Sequence, residues 1–195
     1  MLFACIQHFY LYLCLVALAV KGVFIWDFYG IDRTWTLLIK SALEQPQVFV
    51  HRDFHSRNLM ILEEHSPGII DFQDAVHGPI SYDLVSLLRD CYITWPKQHV
   101  LHWVTAYHRQ LQNHPRWQCE LPQFIRWFDL MGLQRHLKAI GIFSRLKIRD
   151  HKENYINDIP RTLNYVIHIS DNYPELSSFS QLLKNEVLPA KNLPS

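Results

Sequence analysis

The chain lacks what would direct it to nucleic acid, to zinc or across a membrane. Charge is nearly balanced, with 19 basic residues against 18 acidic ones and a formal net charge of +1. No field therefore draws it to nucleic acid or to an anionic bilayer. Cys5, Cys14, Cys91 and Cys119 lie far apart with no C-x-x-C pair, so they read as reduced, mostly buried thiols. His99, His102 and His108 come close to helical spacing, but no third ligand type joins them, and a structural role is the expectation. No internal repeat, low-complexity segment or obvious linker divides residues 45 to 195. Glycine is scarce, six in all, and only Gly22 and Gly30 precede residue 51.

A long apolar run is also missing. Leu11 to Val20 (LYLCLVALAV) is bounded by Gln7 and His8 on one side and Lys21 on the other, well short of the ~20 residues of a spanning helix. Ala17-Leu18-Ala19 fits an A-x-A cleavage site, yet no Lys or Arg stands ahead of the run. For residues 1–26 the expectation is a displaced or foreign leader without function, then a peripheral or single hydrophobic anchor, then a cleaved signal.

The composition itself is suited to folding. Hydrophobic residues make up 49% of the 195, aromatics 13% and charged residues only 19%, enough apolar surface for one compact domain with a short extra segment. Thr36 to Leu43 has helical spacing and stops before Pro46. Gln47 to Val50, Leu59 to Leu62 and Gly68 to Phe72 then read as short strands, the last two forming a hairpin that presents two polar loops at one end. After Gly78-Pro79 the apolar spacing turns helical over 82–92, 97–113, 121–139, 157–169 and 176–187, with prolines near the block edges. The fold class is α+β, a mostly helical lobe carrying a small β-hairpin.

The polar loops carry the chemistry. His51-Arg52-Asp53-Phe54-His55-Ser56-Arg57-Asn58 is succeeded by Ile70-Asp71-Phe72-Gln73-Asp74. Phosphoryl transfer needs a carboxylate to position the acceptor hydroxyl and take its proton, and oxygen ligands to hold Mg²⁺ against nucleotide phosphates. Asp53 suits the first task. Asn58 and Asp71 suit the second if the hairpin brings the two loops together. Asp74 and His77 read as solvated loop residues.

A protein-kinase catalytic loop reads H-R-D-L-x-x-x-N with D-F-G downstream. Here His55 replaces the usual lysine and Gln73 stands where the glycine would be. The pattern H-x-D-x-H-x-x-N, then I-D-F, then G-P-x-x-x-D-L resembles the aminoglycoside phosphotransferase and choline kinase superfamily, over roughly residues 45 to 190. Within it the chain is most similar to the anomeric kinases of N-acetylmuramate and N-acetylglucosamine in cell-wall recycling. The stretches VFVHRDFHSRNLM (48–60), GIIDFQDAVHGPISYDLVSLLRDCY (68–92), RWFDLMGLQRHLKAIGIFSRL (126–146) and DIPRTLNYV (158–166) carry that similarity.

The resemblance implies a protein-kinase-like C-terminal lobe with Asp53 as catalytic base and Asn58 and Asp71 as Mg²⁺ ligands. His51, His55 and Asp83 would support the catalytic loop. Arg89, Trp127, Asp129, Gln134 and Arg135 would lie on the sugar side of the cleft. ATP is the implied co-substrate, an amino sugar the partner and the cytoplasm the location, with membrane association through residues 1–26 as the alternative. It also implies a division into a leader (1–40), a catalytic lobe (41–190) and a tail (191–195). Plainer roles compete: His55 as an orienting partner, Asp83 as a first-turn acid, Trp127 and Phe128 as core aromatics, and Arg135, Lys138, Arg145 and Arg149 as an exposed basic face.

Kinases of this kind cover the phosphates with a glycine-rich loop and hold them with a strand lysine. Neither is visible among the fifty residues before His51, where only Lys21 and Lys40 occur. The sequence therefore reads as a truncated, frameshifted or wrongly started product. Very low activity is expected of it alone, because positioning is worth ~7–11 kcal/mol in such reactions. A non-catalytic remnant or binding module is the alternative. Antibiotic phosphorylation is a third reading, against which the basic residues between 126 and 149 argue.

Overall fold

The structure is a computed structural model that describes residues 28–90, 93, 95–151 and 158–188. The hydrophobic leader at 1–26, Cys5, Cys14, Cys91 and the tail 191–195 lie outside the described residues. The described chain is mostly helical with two small antiparallel strand pairs, an α+β arrangement. Its contacts divide it into two compact units, residues 38–132 and residues up to 37 together with those from 133 onward.

The unit spanning 38–132 begins in helix α1 (Phe28–Leu43), which stops ahead of Pro46 because a residue before proline disfavours helical ψ. Strand β1 (Gln47–Val50) comes next. A 3-10 turn (Ser56–Asn58) leads into β2 (Leu59–Met60), which pairs antiparallel with β3 (Gly68–Ile69) in the register Leu59↔Ile69 and Met60↔Gly68. The expected hairpin is therefore present, with strands shorter than the apolar runs.

A fourth strand, β4 (Val76–Pro79), pairs antiparallel with β1, setting Val48 opposite Gly78 and Val50 opposite Val76. Its residues read as a loop in the sequence. Gly78 suits the close approach of the two strands, since a Cβ there would stand 3.2 Å from Val50 Cγ2.

Buried Gln45 ties the end of α1 to the start of helix α2 (Tyr82–Leu88). It donates from Nε2 to the Ser41 carbonyl at 3.0 Å and accepts the Ser81 hydroxyl at 2.6 Å, just ahead of α2. Helix α3 (Lys97–Leu111) and the start of helix α4 (Leu121–Ile148) complete the unit. Their apolar residues form a core with Ala42, Ile80, Val85, Val104, Phe124, Phe128 and Met131. Pro122 is accommodated in the first turn of α4, where an N–H has no helical partner. Helix α4 runs nine residues beyond the Ala139 expected as its end, and Gly141 is buried within it.

The other unit contains helix α5 (Ile159–Ser170), a 3-10 turn (Pro174–Leu176), helix α6 (Ser177–Leu182) and a π-turn (Leu183–Val187). Leu137, Ile140, Leu163, Val166, Leu176 and Phe179 are buried there. The His136 ring stacks on Tyr165 at 4.0 Å. Asp171 closes α5 by accepting Ser180 Oγ at 2.6 Å and Lys184 Nζ at 2.7 Å. These contacts, the Lys184 hydrogen bond first, lower the Asp171 pKa. Of the four cations read as one basic face, Arg135, Lys138 and Arg145 are half-buried and only Arg149 is exposed.

Among the described residues no helix is long and apolar enough to cross a membrane.

Candidate active site

The loop after β1 leaves the strand pair at His51 and is held from the first turn of α2. The Asp83 carboxylate accepts the His51 N–H at 2.6 Å and the Arg52 N–H at 3.0 Å. Ser86, one turn further along α2, donates its hydroxyl to the Arg52 carbonyl at 3.3 Å. Arg52 therefore has both backbone groups fixed, and it adopts φ 78°, a left-handed conformation that costs about 1–3 kcal/mol outside glycine and persists where its surroundings over-determine it. Burial, and after it the Asp83 carboxylate, raises the Tyr107 phenol above its ordinary pKa.

The loop at 70–74 is joined to the loop at 51–58 by short polar contacts. His51 is buried, and its Nε2 lies 2.9 Å from the Ile70 carbonyl. A carbonyl only accepts, so Nε2 carries a proton. The ring's Nδ1 is buried without a hydrogen-bond partner. The Ile70 N–H in turn reaches the Asn58 carbonyl at 3.2 Å.

Asn58 closes the 3-10 turn that His55 begins, and its amide spans the three expected site residues. Nδ2 donates to the Asp53 carbonyl at 2.9 Å and to Asp71 Oδ2 at 3.3 Å. Gln73 Nε2 donates to the other Asp71 oxygen, Oδ1, at 2.6 Å. Asp71 itself adopts φ 66°. Two amides thus hold one carboxylate whose backbone is in a strained region.

Asp53, Asn58 and Asp71 are brought together, and Asp53 and Asp71 are exposed. Among the described residues no three His, Cys, Asp or Glu side chains cluster closely enough to hold a metal by themselves. One carboxylate and one amide oxygen still suit Mg²⁺, which usually takes one or two protein carboxylates and completes its shell from phosphates and water. The residues present fit that ion.

The residues expected on the sugar side divide. Arg89 pairs with Asp129 at 2.5 Å, donates to the Phe128 carbonyl at 3.4 Å and lies 4.1 Å over the Phe128 ring. Trp127 is buried and its indole N–H donates to Glu44 at 2.7 Å, beside the Gln123 amide at 3.0 Å on the same oxygen. Gln134 and Arg135 are half-buried in α4 and belong to the other compact unit. Asp74 is exposed, and its carbonyl accepts Arg52 Nη1 at 3.3 Å; His77 is exposed on β4. His108 is buried, its Nε2 2.7 Å from the Cys119 carbonyl. Burial, then Glu120, raises the Cys119 thiol pKa.

Sequence reasoning missed Gln73, Ser86 and Glu44 as partners in this region. Only Gln73 carried a signal, as the residue standing in place of a glycine.

Comparison with known proteins finds several relatives. The N-acetylmuramate/N-acetylglucosamine kinase of Neisseria meningitidis serogroup B is 48% identical over 158 residues, 78% of this chain and 46% of the relative. Proteins of the same name from Pseudomonas aeruginosa and Pseudomonas putida are each 45% identical, over 77% and 78% of this chain and 45% of their own lengths. The chain spans about half the length of these curated relatives. The phosphotransferase enzyme family matches residues 18–127, beginning upstream of residue 41, where the catalytic lobe is expected to start. With more than half of its residues inside that match, the chain belongs to the phosphotransferase enzyme family.

Proposed function

We propose that the chain supplies the acceptor-activating and metal-holding lobe, over residues 41–190, of an ATP-dependent kinase. This kinase phosphorylates the anomeric hydroxyl of an amino sugar, N-acetylmuramate or N-acetylglucosamine, in the cytoplasm, where ATP is at hand. The observation that carries the reading is the Asn58 amide, which reaches both the Asp53 carbonyl and the Asp71 carboxylate. The names of the relatives support the amino-sugar class.

In this reading Asp53 accepts the hydroxyl proton as the sugar oxygen bonds to the γ-phosphorus, and the bond to the β-phosphate oxygen breaks to release ADP. Asn58 and Asp71 hold Mg²⁺, which when bound offsets the charge on the phosphates. Asp83 and Ser86 keep the base in place by fixing the peptide groups just before it. Arg89 and Asp129, already paired, act on the sugar side through their orientation of each other.

The test is ADP release from Mg-ATP in the presence of N-acetylmuramate. Release that Asp53→Ala removes, without loss of the folded state by circular dichroism, is the expected outcome. Release unaffected by that substitution contradicts the assignment. A binding module without turnover is the alternative reading. Cooperative unfolding with no Mg-ATP binding by calorimetry would decide for it.

A further inference from the structure

The segment that begins with α2 meets the loop carrying Asp53 at three points, and the third differs in kind from the first two. The Asp83 carboxylate accepts the His51 and Arg52 N–H groups, and Ser86 donates to the Arg52 carbonyl. Both contacts hold peptide groups. Asp90, just past the C-cap residue Arg89, reaches the loop further on, where its Oδ2 accepts the Ser56 hydroxyl at 3.3 Å. This contact joins two side chains, and a hydroxyl can turn aside.

Its length is informative. A hydroxyl bonded to a carboxylate closes to about 2.5–2.7 Å, so the Ser56–Asp90 contact at 3.3 Å is slack. Ser56 is exposed and Asp90 half-buried, and Ser56 stands on the loop between Asp53 and Asn58. Hydrogen bonds at a reaction site are often long before substrate arrives and tighten with it. A carboxylate attracts hydroxyl donors and repels anions, so the ligand group that fits beside Asp90 is a neutral hydroxyl.

We propose that Asp90 is a specificity-determining residue that accepts a ring hydroxyl of the acceptor sugar while the anomeric hydroxyl faces Asp53. The inference rests on the reading of the chain as an amino-sugar kinase lobe. N-acetylmuramate carries its lactyl ether on the 3-oxygen, so the hydroxyls that both acceptors offer, apart from the reacting one, are those at carbons 4 and 6. Ser56 both donates and accepts, and it rotates to bond the arriving hydroxyl or to keep its own bond to Asp90. A hydrogen bond to a charged group is about twice as strong as a neutral one, so an analogue without that hydroxyl forfeits what Asp90 supplies.

The experiment titrates N-acetylglucosamine and its 4-deoxy and 6-deoxy analogues into the isotope-labelled full chain without nucleotide, so that no turnover intervenes. It follows the backbone amide signals of Asp53, Ser56 and Asp90. In the wild type all three should shift with the parent sugar, and one of the two analogues should bind about tenfold more weakly or worse. Asp90→Ala removes the acceptor, and Asp90→Asn keeps the shape without the charge and carries the test if the first variant does not fold. Either should weaken the parent sugar and narrow its advantage over that analogue, whereas Ser56→Ala should leave the advantage in place.

A merely structural role for Asp90 would weaken parent and analogues alike, and an advantage kept in the Asp90 variants overturns the proposal. So does an advantage that Ser56→Ala abolishes while Asp90→Asn preserves it. If the Asp53 signal moves with sugar while those of Ser56 and Asp90 stay still, the inference fails and the amino-sugar reading stands. If none of the three moves, the amino-sugar reading fails and takes the inference with it.

Discussion

From Arg52 to His77 no residue is buried, whereas every residue from Trp127 to Gly132 is. Both stretches belong to the same compact unit, yet they are held by different forces. The α4 stretch is fixed by apolar packing around Phe124, Phe128 and Met131. The loop stretch even turns large apolar side chains outward, Ile61 at 94% and Phe72 at 61% exposure. Its conformation depends on hydrogen bonds to charged or buried partners, chiefly Asp83 and His51. The comparison teaches that an exposed polar loop can stay wet while a few backbone anchors fix where it starts.

That contrast can be broken by a graded series of substitutions read in urea unfolding. Phe124→Ala, at a site with 0% exposure, should cost about 3–5 kcal/mol as transfer and cavity terms add. Asp83→Ala should cost less, about 1.5–3 kcal/mol, through loss of charge-assisted bonds to two amides. It should also speed amide exchange at His51 and Arg52 specifically. Ile61→Ser should change stability by less than about 0.5 kcal/mol, because its side chain is already in water. If Ile61→Ser proved as costly as Phe124→Ala, or if Asp83→Ala left exchange at His51 and Arg52 unaltered, the division between packed and hydrogen-bonded regions would be wrong.

Much of this architecture is legible in the sequence because it is local. The polar runs 51–58 and 70–74 sit between short β-rich runs, and two-residue alternation with turn residues between them specifies a hairpin directly. Strand β4 is not legible. Gly78-Pro79 carries turn chemistry, and pairing with β1 is a contact across about thirty residues that no local window encodes. The end of α4 escapes a linear reading for a related reason: Gly141 reads as a helix terminator when exposed, but here burial in the helix outweighs its propensity cost of roughly 1 kcal/mol. Arg89 and Asp129 both stand out in the sequence, yet nothing in a linear reading says that residues forty apart bond to each other. Trp127 illustrates the remaining ambiguity, since a buried indole with one N–H partner has the same sequence signature as an aromatic meeting a sugar.

The account depends most on Asn58 and Asp71 sharing one divalent cation beside the loop that carries Asp53. Mn²⁺ titrated into the isotope-labelled chain tests this directly, because a paramagnetic ion broadens the signals of nuclei near it even when binding is weak. The account predicts that the backbone amides of Asp53, Asn58 and Asp71 broaden first and together, and that Mg²⁺ in excess restores them. Broadening that spares these three while affecting other carboxylates such as Asp171 or Glu186 would contradict it.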